Sequence, residues 1–244
     1  MKRIAVLSDI HGNLPALEAC VDGARRRGCT TFINLGDILS GPLWPVETAA
    51  YLRPLEWPTI AGNHERQLLT QTRDQMGDSD RFADAAIGEG ERAWLRTLPP
   101  VLAWRPDIYL CHGTLHSDLD YMLHDVGEAG VSDTPADAVA ARVAGRDERL
   151  VLCGHTHVPL QVKLADGRTV ANPGSVGLPA YDWDRPHYHV METGSPAARY
   201  AVVDGDTLHV DLVAVAYDHE AAARKAEAEG RSDWAIALRT GRAR

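Results

Sequence analysis

An α/β fold built from parallel units is predicted for this chain by three observations. Short apolar runs recur, each closed by a polar turn that holds a candidate metal ligand. Helical periodicity separates the early runs, and from Leu150 onward the pattern turns strand-rich. The runs are IAVL, FINL, WPTI, IYL and LVL, and the turns that follow them are SDIHGN, LGDIL, AGNHE, CHG and CGHTH.

Residues 3–8 read as a buried strand and are followed by a helix over about 14–27, whose apolar face carries Leu14, Leu17 and Val21. Residues 31–35 form the next strand, and Pro45–Leu52 a helix with proline in its first turn. Residues 58–60 are short and apolar, and a helix begins near Asn63. The middle differs. Residues 71–97 are polar and helical, with Phe82, Ile87, Trp94 and Leu95 as the buried stripe, while 114–148 hold short helical pieces broken by Asp, Gly and Pro. Segments 71–100 and 114–148 lie between ligand turns, so each either covers the site or pads the outside of the sheet. Beyond Leu150 the segments VPLQVKL, RTVAN, HYHVME, ARYAVVD and TLHVDLVAV read as strands, several joined by hairpin-like turns such as ADGR and VDGD. A last helical segment over about 219–239 caps the outside. No repeat, low-complexity tract or linker divides the chain, so 1–244 reads as one domain.

Composition narrows the function. Hydrophobic content of 45% and charged content of 24% are those of a globular protein, and a net charge of −9 argues against a stable nucleic-acid complex or binding to anionic lipid. A small phosphorylated substrate, nucleotides included, stays open because bound divalent ions reverse the local field. No apolar run approaches the ~18 residues of a membrane-spanning helix, and the start MKRIAVLSD reads as a strand instead of a signal peptide. Cys20, Cys29, Cys111 and Cys153 show no C-x-x-C spacing, which fits buried thiols and a cytoplasmic setting.

The ligand turns supply nitrogen and oxygen donors without thiolate. They are Asp9 and His11, Asp37, Asn63 with His64 beside it, His112, and His155 with His157. Such a set suits Mn, Fe, Zn or Ni at a functional centre better than a structural zinc. Asp9 and His11 are two apart, as are His155 and His157, so an extended backbone would direct each pair to one side. Taken singly, His112 reads as a core histidine, Asn63 as a turn or cap, and Asp37 as a helix cap. The complete set, each member after a buried strand, reverses those readings.

In order and spacing these residues match D-x-H, G-D, G-N-H-[DE], H and G-H-x-H, and the chain from Asp9 to His157 resembles a calcineurin-like metallophosphoesterase of the small bacterial and archaeal, phosphodiesterase-like branch. The resemblance implies an αββα sandwich of two mixed sheets with helices outside. It implies two divalent ions, manganese foremost: Asp9, His11 and His157 on the first, Asn63, His112 and His155 on the second, Asp37 bridging both. His64 would then be the catalytic histidine, with Asn63 and His64 also meeting substrate, and Asp37 would accept a hydrogen bond from its ring. Two such ions, about 3.5–4 Å apart, share a hydroxide that attacks phosphorus. The implied reaction is hydrolysis of a small phosphodiester or nucleotide. A broad phosphomonoesterase and a non-catalytic scaffold are the alternatives, and retention of His64 argues against the scaffold.

Departures from the pattern matter too. Asp37 is followed by Ile-Leu-Ser-Gly, so the arginine of the protein phosphatase motif G-D-x-x-D-R-G is absent, and Glu65 stands where aspartate is commoner. The segment NPGSVG, residues 172–177, either turns its amides toward a phosphate or is a plain loop. Trp44, Tyr181 and Trp183 either stack on a nucleobase or pack as ordinary amphipathic aromatics. His116, His124, His187, His189, His209 and His219 belong to no motif and are expected to be structural or superficial.

Overall fold

The computed structural model describes residues 3–244. In chain order its elements begin with β1 (Arg3–Leu7), α1 (Leu14–Arg26), β2 (Cys29–Asn34), α2 (Pro45–Leu52), α3 (Asn63–Thr70), α4 (Asp78–Ala86) and α5 (Glu89–Leu95). There follow β3 (Val101–Arg105), β4 (Ile108–Cys111), β5 (His124–Gly127), β6 (Gly130–Asp133), α6 (Ala136–Arg142), β7 (Leu150–Leu152), β8 (Leu160–Lys163) and β9 (Thr169–Asn172). The last are β10 (Ala180–Trp183), β11 (His189–Glu192), β12 (Ala198–Asp204), β13 (Val210–Val215), α7 (His219–Ala228) and α8 (Ser232–Thr240).

Two mixed sheets stack face to face, one ordered β13-β12-β1-β2 and the other β3-β4-β7-β9-β8. Strict alternation builds the layers. Ile4 and Val6 of β1, Ile108 and Leu110 of β4, and Leu150 and Leu152 of β7 meet between the sheets. Their neighbours Ala5 and Leu7 face outward onto Leu17, Cys20 and Val21 of α1, whereas Tyr109, Cys111 and Val151 face Val139 of α6. The result is the αββα sandwich with helices outside. All four cysteines are buried and unpaired.

Several elements depart from the sequence reading. The 114–148 segment contains the β5–β6 hairpin as well as a helix, because His124–Asp133 carries too little alternation to announce a strand. The strands β3 and β10 were likewise not evident. The C-terminal helical segment breaks in two, since Gly230 adopts φ +77 and Arg231 N–H closes on Ala226 O, a left-handed helix stop. In consequence α8 does more than cap the outside: Arg231, Asp233 and Trp234 line the same cleft as the ligand turns. No helix among the described residues is long and apolar enough to cross a membrane.

Candidate metal centre

Parallel pairing explains why the ligand turns converge. β1 runs parallel to β2, and β4 to β7, so the turns leaving their C-terminal ends emerge along one edge of each sheet. The sandwich brings the two edges together. Asp9 and His11 leave β1, Asp37 leaves β2, His112 leaves β4, and His155 and His157 leave β7, while Asn63 opens α3. Glycine permits the approach of the second and third turns: a Cβ on Gly62 would meet Asp37 Oδ1 at 2.2 Å, and one on Gly36 the Gly62 nitrogen at 2.4 Å.

The turns are not extended, which corrects the expected route to convergence. Asp9, His11, Asp37, His155 and His157 all have positive φ, between 52° and 69°. Left-handed backbone costs a non-glycine residue roughly 1–2 kcal/mol, so the surroundings must hold it in place. They do so with main-chain hydrogen bonds: Asp9 N–H to Gly36 O, His11 N–H to Asp37 O and Gly12 N–H to Ile38 O, at 3.0, 3.0 and 2.8 Å. His155 N–H is in turn 3.2 Å from both carboxylate oxygens of Asp9.

Two acceptor clusters result. Asp9, His11 and His157 place ligand atoms within 4.8 Å of one another, as do Asp37, His112 and His155. His11 Nδ1–H donates to Ser40 O, His157 Nδ1–H to Leu178 O and His112 Nδ1–H to Leu35 O, at 2.7–2.8 Å. In the neutral ring this leaves Nε2 of each as a lone pair. His11 Nε2 and His157 Nε2 stand 3.0 Å apart. On the other side Asn63 Oδ1 faces His155 Nδ1, Asp37 Oδ2 and His112 Nε2, all acceptors, at 3.0–3.2 Å. Acceptors repel unless a cation or proton lies between them, so this donor set fits two divalent ions.

Charge agrees. Burial, then the neighbouring His157, pushes His11 down to about 3, and burial with His112 pushes His155 down to about 4, so both rings offer lone pairs at neutral pH. Burial also opposes charge on His112, but Asp37, at 3.0 Å, outweighs it and raises the ring to about 10. That proton occupies a position a metal would take by displacing it. Asp37 itself is held well below the usual carboxylate range, His112 overcoming the penalty of burial.

A family model, that of the calcineurin-like phosphoesterase superfamily domain, matches residues 1–196. The chain belongs to the calcineurin-like phosphoesterase superfamily. Among solved structures, a metallophosphoesterase from Sphaerobacter thermophilus superimposes with a TM-score of 0.79 at 24% identity, covering 98% of this chain and 99% of that one. A hypothetical protein from Pyrococcus horikoshii OT3 gives 0.77 at 23% identity, covering 99% of each chain. An uncharacterized protein of Methanocaldococcus jannaschii is 24% identical over 257 residues, 95% of this chain and 94% of its own. Family, fold and the two Asp/His clusters together support a metal-dependent phosphoesterase activity.

His64 of this phosphoesterase belongs to neither cluster. The structure corrects its expected partner: Asp37 Oδ1 accepts from the His64 backbone N–H at 2.9 Å, whereas the ring Nδ1 lies 2.7 Å from Asp80 Oδ1. Asp80 is buried and comes from α4, within segment 71–100. Burial opposes a charge on His64, but Asp37 and then Asp80 raise it to about 9. Segments 71–100 and 114–148 both contribute walls to a cleft of about 1580 Å³ that includes His64, His11, His155 and His157. Tyr181 and Trp183 line this cleft, but Trp44 does not. Trp44 instead packs against the cluster of Leu43, Leu178 and Trp234, which removes it as a substrate contact. Of the histidines outside the motifs, His116 and His124 line the cleft, and His189 is buried beneath it, hydrogen-bonded to Tyr121.

Two further features of the phosphoesterase were not evident from the sequence. Glu65 is fully buried and accepts three backbone N–H groups, those of Asp37, Ile38 and Gly62, each at 2.8 Å. Its carboxylate therefore clamps the Asp37 turn to the Asn63 turn. The 172–177 loop is neither a phosphate cradle nor an idle connection. Its amides are committed to Ser8 O, Asp9 O and His157 O, and Ser175 Oγ donates to Asp9 O at 2.8 Å. It braces the first and last ligand turns. Glu65→Ala is expected to lower stability by about 3 kcal/mol or more, since three buried donors lose a charged acceptor. Glu65→Gln, with one acceptor oxygen, should lose less. Chemical denaturation in chelator measures this without metal; equal midpoints for Glu65→Ala and the parent would remove the clamp.

Proposed function

We propose that this phosphoesterase hydrolyses a small phosphodiester, a nucleotide ester included, at a dinuclear centre of divalent transition-metal ions, manganese foremost. The observation that carries the reading is the convergence of Asn63 Oδ1, Asp37, His112 and His155 on one point beside the Asp9–His11–His157 cluster. Asp9, His11 and His157 would hold one ion and Asn63, His112 and His155 the other, with Asp37 between. When bound, such a pair supplies hydroxide near neutral pH and offsets the charge of the phosphoryl oxygens.

The chain's own residues do the rest. His64, its Nδ1–H held by Asp80, keeps Nε2 available to protonate the leaving oxygen. Asp37 fixes the His64 backbone, so both halves of that residue are anchored by carboxylates. The diester preference rests on the arginines of the cleft, which are Arg142, Arg185 and Arg231. Arg142 donates to Tyr121 O, Met122 O and Thr134 Oγ1, and Arg231 to Asp233 and Ser79. Arg185 is largely exposed. Arg142 and Arg231 are therefore already committed and neither is a free clamp for the second negative charge of a monoester, while Arg185 reaches only Asp184, at 4.0 Å.

A manganese-supplemented panel tests this with aryl monoester, aryl diester, cyclic nucleotides and dinucleoside polyphosphates. The diester is expected to exceed the monoester in kcat/KM by at least about tenfold, roughly the value of one lost charge-assisted contact. A monoester preference would instead make the protein a general phosphatase. Failure to take up metal, with no turnover of any substrate, would end the catalytic reading.

A further inference from the structure

We propose that Trp183 is the floor of a base-recognition subsite, so that the preferred substrate carries a nucleobase one sugar away from the scissile phosphate. This inference rests on the phosphoesterase reading of the same site and adds the identity of the group beyond the phosphate.

The argument starts from strand geometry. On β10, Tyr181 and Trp183 are two residues apart and share a face. Tyr181 begins that face at the metal-facing residues: its ring packs edge-on against His157, centroids 4.7 Å apart. Trp183 then lies about 7 Å further along the strand, a step comparable to the width of one ribose. Both side chains line the cleft.

The hairpin beneath the indole is fixed in advance. Tyr121 joins its hydroxyl to that of Tyr181 at 2.7 Å and to His189 Nε2 at 2.8 Å. His189 stands directly opposite Trp183 in the β10–β11 ladder and is buried. The β10–β11 hairpin that carries Trp183 is thus tied at two points, one on each strand, to Tyr121 of the loop over the site. Yet the indole is 55% exposed, so its own packing does not account for its position. An exposed indole on a tethered hairpin beside a phosphate-binding centre offers a π-face to an aromatic base.

A second cleft wall supplies polar readout. Asn63, Gln67 and Gln71 follow one another at helical spacing of four along α3 and its C-cap, leading away from the metal-facing amide. Gln67 and Gln71 line the cleft, and Gln71 Oε1 is buried without a hydrogen-bond partner. An acceptor of this kind suits an exocyclic amine or ring N–H of a base. A base that pairs this carbonyl gains a hydrogen bond that a base-free ligand cannot make.

The test is titration calorimetry on the manganese-loaded full chain with two probes that cannot be hydrolysed. These are the phosphonate analogues of adenosine monophosphate and of ribose 5-phosphate, in which carbon replaces the ester oxygen. The parent protein is expected to bind the base-bearing probe about 5- to 100-fold more tightly, the range one stacked base provides. Trp183→Ala should bring that ratio to within about twofold of unity, and Trp183→Phe should retain most of it. No preference in the parent, or a preference intact in Trp183→Ala, would overturn the subsite. A protein that turns over the ester panel but shows no preference overturns this inference alone. One that shows the preference but hydrolyses nothing overturns the catalytic reading alone.

Discussion

Asp37→Ala is expected to reduce bound metal from two equivalents to fewer than one and to lower turnover by at least ~10³-fold. The residue stands where two demands meet. Its Oδ2 lies 3.0 Å from His112 Nε2, and its Oδ1 accepts the His64 backbone N–H. Only Asp9 would remain as a carboxylate in the two clusters, facing neutral imidazoles and an amide. Two divalent ions a few ångströms apart repel strongly in a buried site, and a shared carboxylate is what offsets that repulsion. Asp37→Asn keeps the shape and an acceptor for the His64 amide. It should therefore fold as the parent does in chelator while still failing to hold the second ion. Elemental analysis beside activity decides the matter, because full metal occupancy in Asp37→Ala would remove the bridging role.

Why the convergence of Asp9, His11, Asp37, Asn63, His112, His155 and His157 was legible in the sequence follows from how the turns are made. Metal ligation demands particular residue types, and parallel strands deliver them at one recurring place, the turn after an apolar run. Both constraints leave marks in one dimension. The α/β reading followed from the same marks, and the sandwich from the family resemblance that the ordered motifs carry. Asp80 left none: it touches His64 from 16 residues away, on a polar helix where an aspartate is unremarkable. Nothing in the local pattern distinguishes it from Asp78 or Asp84. Glu65 showed only as a variation at its position. Its extra methylene reaches three amides on two turns, a relation that exists only once β2 and α3 are packed. The positive φ angles were hidden for a related reason. Local propensity assigns such angles to glycine, and tertiary hydrogen bonds override it at five of the seven predicted ligands. Trp234 was hidden by distance in the chain; its ring lies 5.9 Å from that of His11 because Gly230 turns α8 back toward the cleft.

Of the residues around the centre, His64 offers the clearest separation of chemistry from metal binding. It lies outside both acceptor clusters, so His64→Ala should keep two equivalents of metal, although the loss of Asp80's partner lowers its thermal midpoint. Turnover should nevertheless fall by about 10²- to 10⁴-fold on esters with poor leaving groups, the usual worth of a positioned general acid. A nitrophenolate leaves without a proton, so an aryl ester should suffer much less than an alkyl ester. The leaving-group dependence of kcat therefore steepens in the variant if His64 protonates the departing oxygen. Equal losses on both ester types would assign it to charge stabilisation instead. Asp80→Asn separates orientation from charge, since the amide oxygen still accepts from Nδ1–H while the negative charge is gone. It is expected to lose about tenfold, within the range seen when a carboxylate behind a functional imidazole is neutralised. Asp80→Ala removes both and should approach His64→Ala on alkyl esters, with KM changing far less than kcat. A loss in KM alone for Asp80→Ala would mean that α4 shapes the cleft without steering the ring, and the His64–Asp80 pair would then have no part in proton transfer.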